Sequence, residues 1–187
     1  MTSPLRRCRW AQNDLSMQLY HDTEWGVPVR DSRALWEKLI LDGFQAGLSW
    51  RTILLKREAF REAFEGFIPA RVAQYDETDI ELLLGNPAIV RSRIKIRAAI
   101  KNANAYLSMQ EQGEDFSSFV WDFVSNAAFR GDDTGRATRS VMGDRLSVEL
   151  KKWGFSFVGL VTVHAWLQAI GVINDHESSF FQQDYIA

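Results

Sequence analysis

Residues 82–106 have the sequence LLLGNPAIVRSRIKIRAAIKNANAY, which predicts two helices separated by a short break. Glycine, asparagine and proline at positions 85–87 are residues that end helices and form turns. From Ile96 to Tyr106, apolar residues recur every three or four positions, and this spacing is typical of a helix with one buried face. The chain is therefore predicted to contain a helical hairpin over about residues 77–107.

The second helix of this hairpin begins with a run of basic residues. Five cations and no acid lie between positions 91 and 101: Arg91, Arg93, Lys95, Arg97 and Lys101. A helix N-terminus has unpaired N–H groups and a positive dipole end, so it can hold a phosphate oxygen, and nearby basic side chains add to such a site. The segment resembles a degenerate helix-hairpin-helix, a motif that binds the DNA backbone without recognising its sequence. An ordinary helical hairpin with a solvated basic face is the alternative interpretation.

The composition is that of an ordinary globular protein. Of the 187 residues, 46% are hydrophobic and 25% are charged, which predicts a single domain over residues 1–187 with its own core. The net charge of −2 argues against a protein that binds nucleic acid through uniform positive charge. A single cysteine excludes a framework of intramolecular disulfides.

The sequence carries no signal for a membrane or a nucleotide cofactor. No apolar stretch approaches the ~20 residues that cross a membrane, and the N-terminal residues MTSPLRRCRW have no apolar segment of the secretory type. We therefore expect a cytoplasmic protein with no membrane partner. No phosphate loop or dinucleotide fingerprint is present, so no nucleotide cofactor is expected.

Helix signals recur along most of the chain, and the predicted fold class is all-α. Helix starts are marked by Asp31 with Ser32, by Ser49 and by Pro69, and Asp76 with Asp79 resembles a capping arrangement. Apolar periodicity then predicts helices over residues 32–40, 49–64, 80–84, 146–153 and 158–170, the last of which ends at Gly171. Residues 116–124 fit either a helix or a strand, residues 156–162 also permit a strand, and residues 126–143 are predicted to form a loop or a minor insertion.

An acidic residue lies on an apolar helix face in LDGFQAGLSW, residues 41–50. Asp42 follows Leu39 by three positions and Leu35 by seven, which places it on the same face as these leucines. A carboxylate in such a position must find partners or lose its charge. The glycines at 43 and 47 allow another backbone or a ligand to approach closely, and Trp50 follows. The pattern indicates a pocket, and the alternative is that Asp42 only caps a short helix.

Aromatic and metal-binding residues give weaker signals. Trp10, Tyr20, Trp25, Trp36 and Trp50 could stack on bases or attract cations, although several of them are expected in the core. Cys8, His21 and a distant His176 could offer three zinc ligands, although such residues are more often simply buried. His164 lies in an apolar run and is predicted to be a core histidine.

These features occur together and in a specific order. Cys8, YHDTEWGVP (20–28), LDGFQAGLSW (41–50), the hairpin, GFSFVG (154–159) and GVINDH (171–176) closely resemble the DNA-3-methyladenine glycosylase I family over roughly residues 8–176. The resemblance implies an all-helical helix-hairpin-helix glycosylase fold. It also implies a monofunctional enzyme that excises 3-methyladenine from double-stranded alkylated DNA, leaves an abasic site and acts as a monomer.

The resemblance also implies roles for particular residues. The base pocket falls on Tyr20 and Trp50, and its carboxylate falls on Asp42. The turn that fills the gap left in the duplex falls on Gln45–Leu48, with Gly47 in the turn and Leu48 as an apolar wedge. From the hairpin itself, we expect phosphate to be clamped by the backbone from Pro87 to Arg91, which includes Ile89 and Val90, and by the basic side chains of Arg91, Arg93 and Lys95.

Three positions depart from the family pattern. Asp42 stands where the family commonly has glutamate, and Met17 stands where it often has a tyrosine. The zinc ligands Cys8, His21 and His176 are present, but the fourth position is Phe180, so either Glu177 or a water completes the zinc shell or no zinc binds. The departures at Asp42 and Met17 motivate two alternatives: a DNA-binding protein that recognises lesions without cleaving, and a related glycosylase for another damaged purine.

Overall fold

A computed structural model describes residues 7–125, 128–131 and 137–177 of the chain. Helices dominate the described residues: α1 (Leu15–Thr23), α2 (Ser32–Gln45), α3 (Trp50–Ala63), α4 (Pro69–Val72), α5 (Glu77–Gly85), α6 (Arg93–Glu111), α7 (Phe116–Phe123), α8 (Val141–Lys152) and α9 (Leu160–Ala169). Short 3₁₀ turns lie at Arg9–Ala11 and Glu65–Phe67, and two short strands are β1 (Phe129–Arg130) and β2 (Ile173–Asn174). The all-α prediction is confirmed, with one small parallel strand pair added.

Helix α2 runs through the centre of the core. It packs against α3, α6, α7 and α9, and Leu35, Trp36 and Leu39 on its inner face are fully buried. The indole N–H of Trp166 on α9 donates to the Leu35 carbonyl oxygen at 3.1 Å, which fixes the two helices against each other. Burial of each such large apolar side chain contributes roughly 1.5–3 kcal/mol to folding. This rigid centre holds the C-terminal end of α2 in place.

Several helix boundaries are set locally, as the sequence predicts. The side chains of Asp31 and Ser49 accept hydrogen bonds from backbone N–H groups in the first turns of α2 and α3. Asp76 and Asp79 form a reciprocal capping box at the start of α5, and Pro69 occupies the first turn of α4. Gly171 ends the α9 region with φ of 77°, a conformation that favours glycine.

Other boundaries differ from the prediction. Helix α2 continues to Gln45, so the alternative in which Asp42 caps a short helix is wrong. Helix α8 begins at Val141 because the Ser140 hydroxyl accepts from the Gly143 N–H at 3.1 Å, so the predicted loop ends earlier than position 143. Residues 116–123 are helical. The strand alternative for residues 156–162 is also wrong, because α9 begins at Leu160.

The strand pair lies beside the end of α9. Phe129 pairs with Ile173 and Arg130 with Asn174 in parallel register. The Phe129 N–H donates to the Val172 carbonyl at 2.7 Å, and the Gly131 N–H donates to the Asn174 carbonyl at 2.9 Å. The segment after α7 is thereby fixed next to the segment after α9. Helix α9, which the second segment follows, lines the cavity described next.

Candidate functional site

A cavity of about 360 Å³ opens between α1, the end of α2, the start of α3 and α9. Four residues predicted for a pocket line it together, namely Met17, Tyr20, Asp42 and Trp50, and Gln45, predicted for the DNA-binding turn, joins them. Its volume lies within the range of small-molecule sites. The structure therefore brings the sequence-predicted pocket residues to one place.

Helix α1 supplies the aromatic floor. The Asp14 carboxylate caps this helix by accepting from the Met17 N–H at 2.9 Å, and Met17 and Tyr20 then lie three positions apart on its buried face. The Tyr20 ring packs on Trp50 with ring centroids 5.2 Å apart. Burial, together with the nearby negative charge of Asp42, raises the pKa of the Tyr20 hydroxyl well above 10, so this hydroxyl is neutral in the pocket.

Asp42 is the buried acid of the pocket. Its side chain lies on the inner face of α2 and is only 5% exposed. The Oδ2 atom accepts no hydrogen bond from any described residue. Burial raises the pKa of this carboxyl to about 7, and the positive charge of Lys38 opposes the rise. A buried acceptor without a partner costs folding free energy, and in a cavity wall it is available to a ligand.

Trp50 provides a complementary donor. It is the first residue of α3, directly after the Ser49 cap, and its indole N–H is buried and donates to none of the described residues. The cavity thus presents an acceptor from Asp42 and a donor from Trp50 between aromatic faces. This arrangement suits a flat, polar, aromatic ligand that stacks and forms hydrogen bonds.

The turn between α2 and α3 forms the rim of the cavity. Gly47 has φ of 79°, and the Leu48 N–H donates to the Gln45 carbonyl at 2.6 Å. Leu48 itself is 42% exposed, which is unusual for a leucine in a fixed turn. The Lys95 ammonium on α6 donates to the carbonyl oxygens of Phe44 at 2.8 Å and Ala46 at 2.6 Å. Lys95 therefore ties the rim to the hairpin.

The remaining walls come from segments that sequence reasoning did not assign to the pocket. Trp10 and Trp25, noted only as aromatic residues, form one side, and the start of the segment before α8 supplies Ala137 and Thr138. Helix α9 contributes three residues on one face: Ala165, Gln168 and Ala169. Small or neutral side chains on an apolar helix carry no signal for a pocket, so this wall could not be predicted from the sequence.

Two of the cations near the cavity are paired with acids. Arg57 on α3 makes a bidentate ion pair with Glu24, with distances of 2.6 and 3.0 Å, and Arg61 pairs with Glu37 at 2.7 Å. Lys38 lies one turn before Asp42 on α2, and its ammonium nitrogen is 5.6 Å from the centre of the Tyr20 ring. The position of this cation was not singled out by the sequence analysis.

The hairpin forms a separate, exposed surface. The Ala88 N–H donates to the Asn86 side chain at 2.9 Å, and the Lys56 ammonium donates to the Pro87 and Ala88 carbonyl oxygens at 3.0 Å each. The backbone N–H groups of Ile89, Val90 and Arg91 have no acceptor within the described part of the chain. Because Ser92 does not cap α6 with its side chain, these N–H groups add to an open helix N-terminus.

The predicted clamp residues differ in how the structure uses them. Arg91 is exposed and forms no ion pair with any residue described. Arg93 forms ion pairs with Glu77 and Glu81 on α5, and Lys95 holds the cavity rim. Ile89 is buried and anchors the loop in the core, and Val90 is half-buried.

The predicted zinc ligands lie close together at the junction of the chain's two ends. His21 accepts from the Cys8 N–H at 3.4 Å, and the rings of His21 and His176 are 5.2 Å apart. Glu177, the alternative fourth ligand, accepts from the Arg9 N–H at 3.1 Å, and Phe180 lies outside the described residues. Over residues 7–125, 128–131 and 137–177, no group of three or more His, Cys, Asp or Glu side chains could hold a metal ion. The described residues therefore do not fit the four-ligand zinc site.

His164 is buried, as predicted for a core histidine. Its ring nitrogens make hydrogen bonds with the Ala137 carbonyl at 3.0 Å and the Ser140 hydroxyl at 3.2 Å. The contact with Ala137 holds the small-residue wall of the cavity. In the part of the chain described, no helix combines the length and the apolar character needed to span a membrane.

Comparison with known proteins agrees with this geometry. The methyladenine glycosylase family model matches residues 10–183. DNA-3-methyladenine glycosylase 1 of Escherichia coli is 45% identical over 175 residues, which are 92% of this chain and 94% of that protein. DNA-3-methyladenine glycosylase of Haemophilus influenzae is 43% identical over 91% of this chain and 94% of that protein.

Solved structures give the same result. A crystal structure of 3-methyladenine DNA glycosylase I matches with a TM-score of 0.91 at 45% identity, covering 94% of this chain and 98% of that one. A structure of the Staphylococcus aureus enzyme, described for its recognition of 3-methyladenine, matches with a TM-score of 0.90 at 36% identity and covers 97% and 98% of the two chains. The chain belongs to the methyladenine glycosylase family.

Proposed function

We propose that this chain is a monofunctional DNA glycosylase that hydrolyses the N-glycosidic bond of 3-methyladenine in double-stranded alkylated DNA. The observation that carries the proposal is the Asp42 carboxylate, which lines an aromatic cavity with one oxygen accepting no hydrogen bond from the described residues. Family relatives named for this activity support it. Aspartate reaches the cavity although its side chain is shorter than the glutamate common in the family.

The pocket chemistry matches the substrate. A base must leave the helical stack to be excised, and an enzyme holds it by stacking and by hydrogen bonds to its edge. In its nucleotide, 3-methyladenine carries a positive charge, whereas adenine is neutral. The faces of Tyr20 and Trp50 and the ionised Asp42 carboxylate attract a cation. The cavity therefore favours the methylated base, and Met17 adds a polarisable contact in place of an aromatic ring.

The chemical step needs little assistance because the cationic base is a good leaving group. Water attacks C1′ of the sugar and loses a proton, the C1′–N bond breaks, and the bonding electrons leave with the base as neutral 3-methyladenine. Positive charge develops on the sugar during this step. An ionised Asp42 lowers the energy of that state by electrostatic attraction, which acts strongly in a buried site. Base recognition and charge stabilisation are both assigned to Asp42.

Two further surfaces bind the DNA in this proposal. Leu48, exposed at the rim, inserts into the gap left by the extruded base, and Gln45 and Gly47 shape the turn that carries it. The hairpin binds the phosphate backbone through the N–H groups of residues 89–91 and through Arg91, which lies beside an uncapped helix N-terminus. Arg93 and Lys95 contribute positive charge there and already bind protein groups.

Zinc, oligomeric state and location stay predictions. The closeness of Cys8, His21 and His176 supports a metal at the junction, and the lack of a ligand group among the residues described opposes it. Elemental analysis of the purified protein decides between one zinc per chain and none. The proposal also includes that the protein is a monomer and that it acts in the cytoplasm. Sedimentation tests the first point, and cell fractionation tests the second.

Release of free base from dimethyl-sulfate-treated DNA tests the proposed function. We expect selective release of 3-methyladenine with little 7-methylguanine, counted in the same assay. Binding to abasic-site DNA without release of either base would instead support lesion recognition without cleavage. Release of a different damaged purine would identify a related glycosylase with altered selectivity.

A further inference from the structure

We propose that Lys38 is a positioning residue that keeps the Asp42 carboxyl ionised at neutral pH and so lets the pocket bind a cationic base. This inference rests on the proposed function, because it concerns how the same site binds and excises its base. Lys38 does not line the cavity and has no role in the contacts described above as base-binding.

The position of Lys38 follows from helix geometry. Lys38 and Asp42 are four residues apart on α2 and therefore neighbours on one face of the helix. The ammonium nitrogen lies 5.6 Å from the centre of the Tyr20 ring, and this ring is a wall of the cavity. Its charge is thus held against the Tyr20 ring of the pocket wall and one helical turn from Asp42.

Lys38 attracts two neighbouring acids as well as Asp42, and it attracts Glu24 more strongly than Asp42. Glu24 and Glu37 also face Lys38, but Glu24 is bound by Arg57 at 2.6 Å and Glu37 by Arg61 at 2.7 Å. Lys38 itself forms no ion pair shorter than 4.0 Å with a described residue. Among the cations in the described ranges, Lys38 is the one that acts on the Asp42 carboxyl.

The other walls, as far as the structure describes them, offer Asp42 no charged partner. Helix α9 and the segment before α8 face the cavity with neutral side chains: Ala137, Thr138, Ala165, Gln168 and Ala169. From α1 it faces the Tyr20 hydroxyl, and from α3 the neutral indole of Trp50. Burial raises the pKa of Asp42 to about 7, and Lys38 is the charge that opposes this rise. Removing that charge moves the pKa further up, so less of the carboxyl is ionised at neutral pH.

The experiment is the pH dependence of 3-methyladenine excision by the full chain carrying Lys38→Met, Lys38→Arg or the surface control Lys151→Met. For Lys38→Met we expect the midpoint of the acid limb of kcat/KM to move up by about 1 pH unit. Relative to wild type, kcat/KM then falls about eightfold at pH 6.5 and changes little at pH 9. Lys38→Arg retains the charge and restores the wild-type profile, and Lys151→Met, at the exposed end of α8, leaves it unchanged.

The shape of the profile separates this proposal from other roles. A Lys38→Met profile with the wild-type midpoint, whatever its plateau, overturns the proposal, as does an equal shift in Lys38→Met and Lys38→Arg. Because each profile is normalised to its own plateau, a partly destabilised variant still reports the midpoint, and thermal melting checks its folding. Failure of the proposed function is distinct, since it would appear as no base release by the wild-type chain at any pH.

Discussion

The charged side chains of the cavity and of the hairpin differ in burial and in whether they have partners. In the cavity, the Asp42 carboxylate is buried, and its Oδ2 has no hydrogen-bond partner among the described residues. On the hairpin, Arg93 and Arg97 are exposed and bind Glu77, with Arg97 at 2.9 Å. Exposed ion pairs contribute little to stability, whereas a buried carboxyl without a partner lowers it. The single buried carboxylate of Asp42 therefore indicates the chemical site more clearly than the larger cluster of paired charges on the hairpin does.

The largest expected effect is the loss of excision on replacing Asp42 by Asn. The amide has nearly the same shape, so the variant removes the charge and keeps the packing. We expect kcat/KM for release of 3-methyladenine to fall about 10²–10³-fold, because charge stabilisation in a buried site is lost. Glu149→Gln, which removes an exposed carboxylate paired with Lys152, is the matched control and keeps wild-type activity. Undiminished excision by Asp42→Asn would remove this residue from the mechanism.

The same substitution should make the folded protein more stable relative to wild type as the pH rises, whereas most substitutions are destabilising. The pKa of Asp42 is raised from 3.8 to about 7 in the folded protein, so between these values the unfolded chain has lost a proton that the folded chain retains. Stability of the wild type relative to Asp42→Asn therefore falls as the pH rises from about 4 to about 7, by about 4 kcal/mol in total, and is constant above that. Thermal melting of both proteins across this range measures the difference. Parallel curves would show that Asp42 titrates as an exposed acid.

A smaller effect is expected from replacing Lys95, which links the hairpin to the rim of the cavity. Lys95→Met removes the bonds from the hairpin helix to the Phe44 and Ala46 carbonyl oxygens, so the turn carrying Leu48 loses its fixed position. We expect excision to fall about tenfold, since displacement of a positioned group by 1 Å can cost as much or more. Melting temperature should change little, and Lys151→Met serves again as the control. An activity equal to that of the control would mean that Ser49 and Gly47 alone hold the turn.

The smallest expected effects distinguish Arg91 from Arg93. Arg91 has no ion-pair partner in the described ranges, so Arg91→Ala should weaken DNA binding severalfold and reduce the salt dependence of log K by about 1. Arg93 is bound by two glutamates, so Arg93→Ala should affect binding less and cost at most about 0.5 kcal/mol of stability. Binding titrations at several salt concentrations measure both slopes. Equal slopes would show that the ion pairs of Arg93 open when DNA binds.

Much of the fold was predictable because its signals are local. The caps at Asp31 and Ser49 and the capping box of Asp76 with Asp79 depend on residues within one turn of each other. The burial of Asp42 followed from helical periodicity along α2. The start of α8 was missed because Ser140 lies in a segment of glycines and small polar residues, where one cap is not distinguishable from a turn.

Several residues of the site could be predicted from the sequence, but the groups that they contact could not. Asp42 was identified from helical periodicity, the base-binding roles of Tyr20 and Trp50 came from the family resemblance, and the structure places all three around one cavity. The role of Lys95 depends on carbonyl oxygens about 50 residues earlier in the chain, and backbone acceptors leave no trace in a sequence. The α9 wall consists of small or neutral side chains for which a helical pattern predicts only burial.

The cavity wall also has a consequence for the order in which the protein is made. Trp10, Tyr20 and Asp42 are synthesised before the opposite wall on α9 and before strand β2, which contacts α9. Before that wall is in place, we expect Asp42 to be more accessible to water than the 5% exposed side chain of the folded protein. We therefore expect a nascent chain to form the hairpin before the complete pocket. DNA binding should then appear during synthesis before base excision.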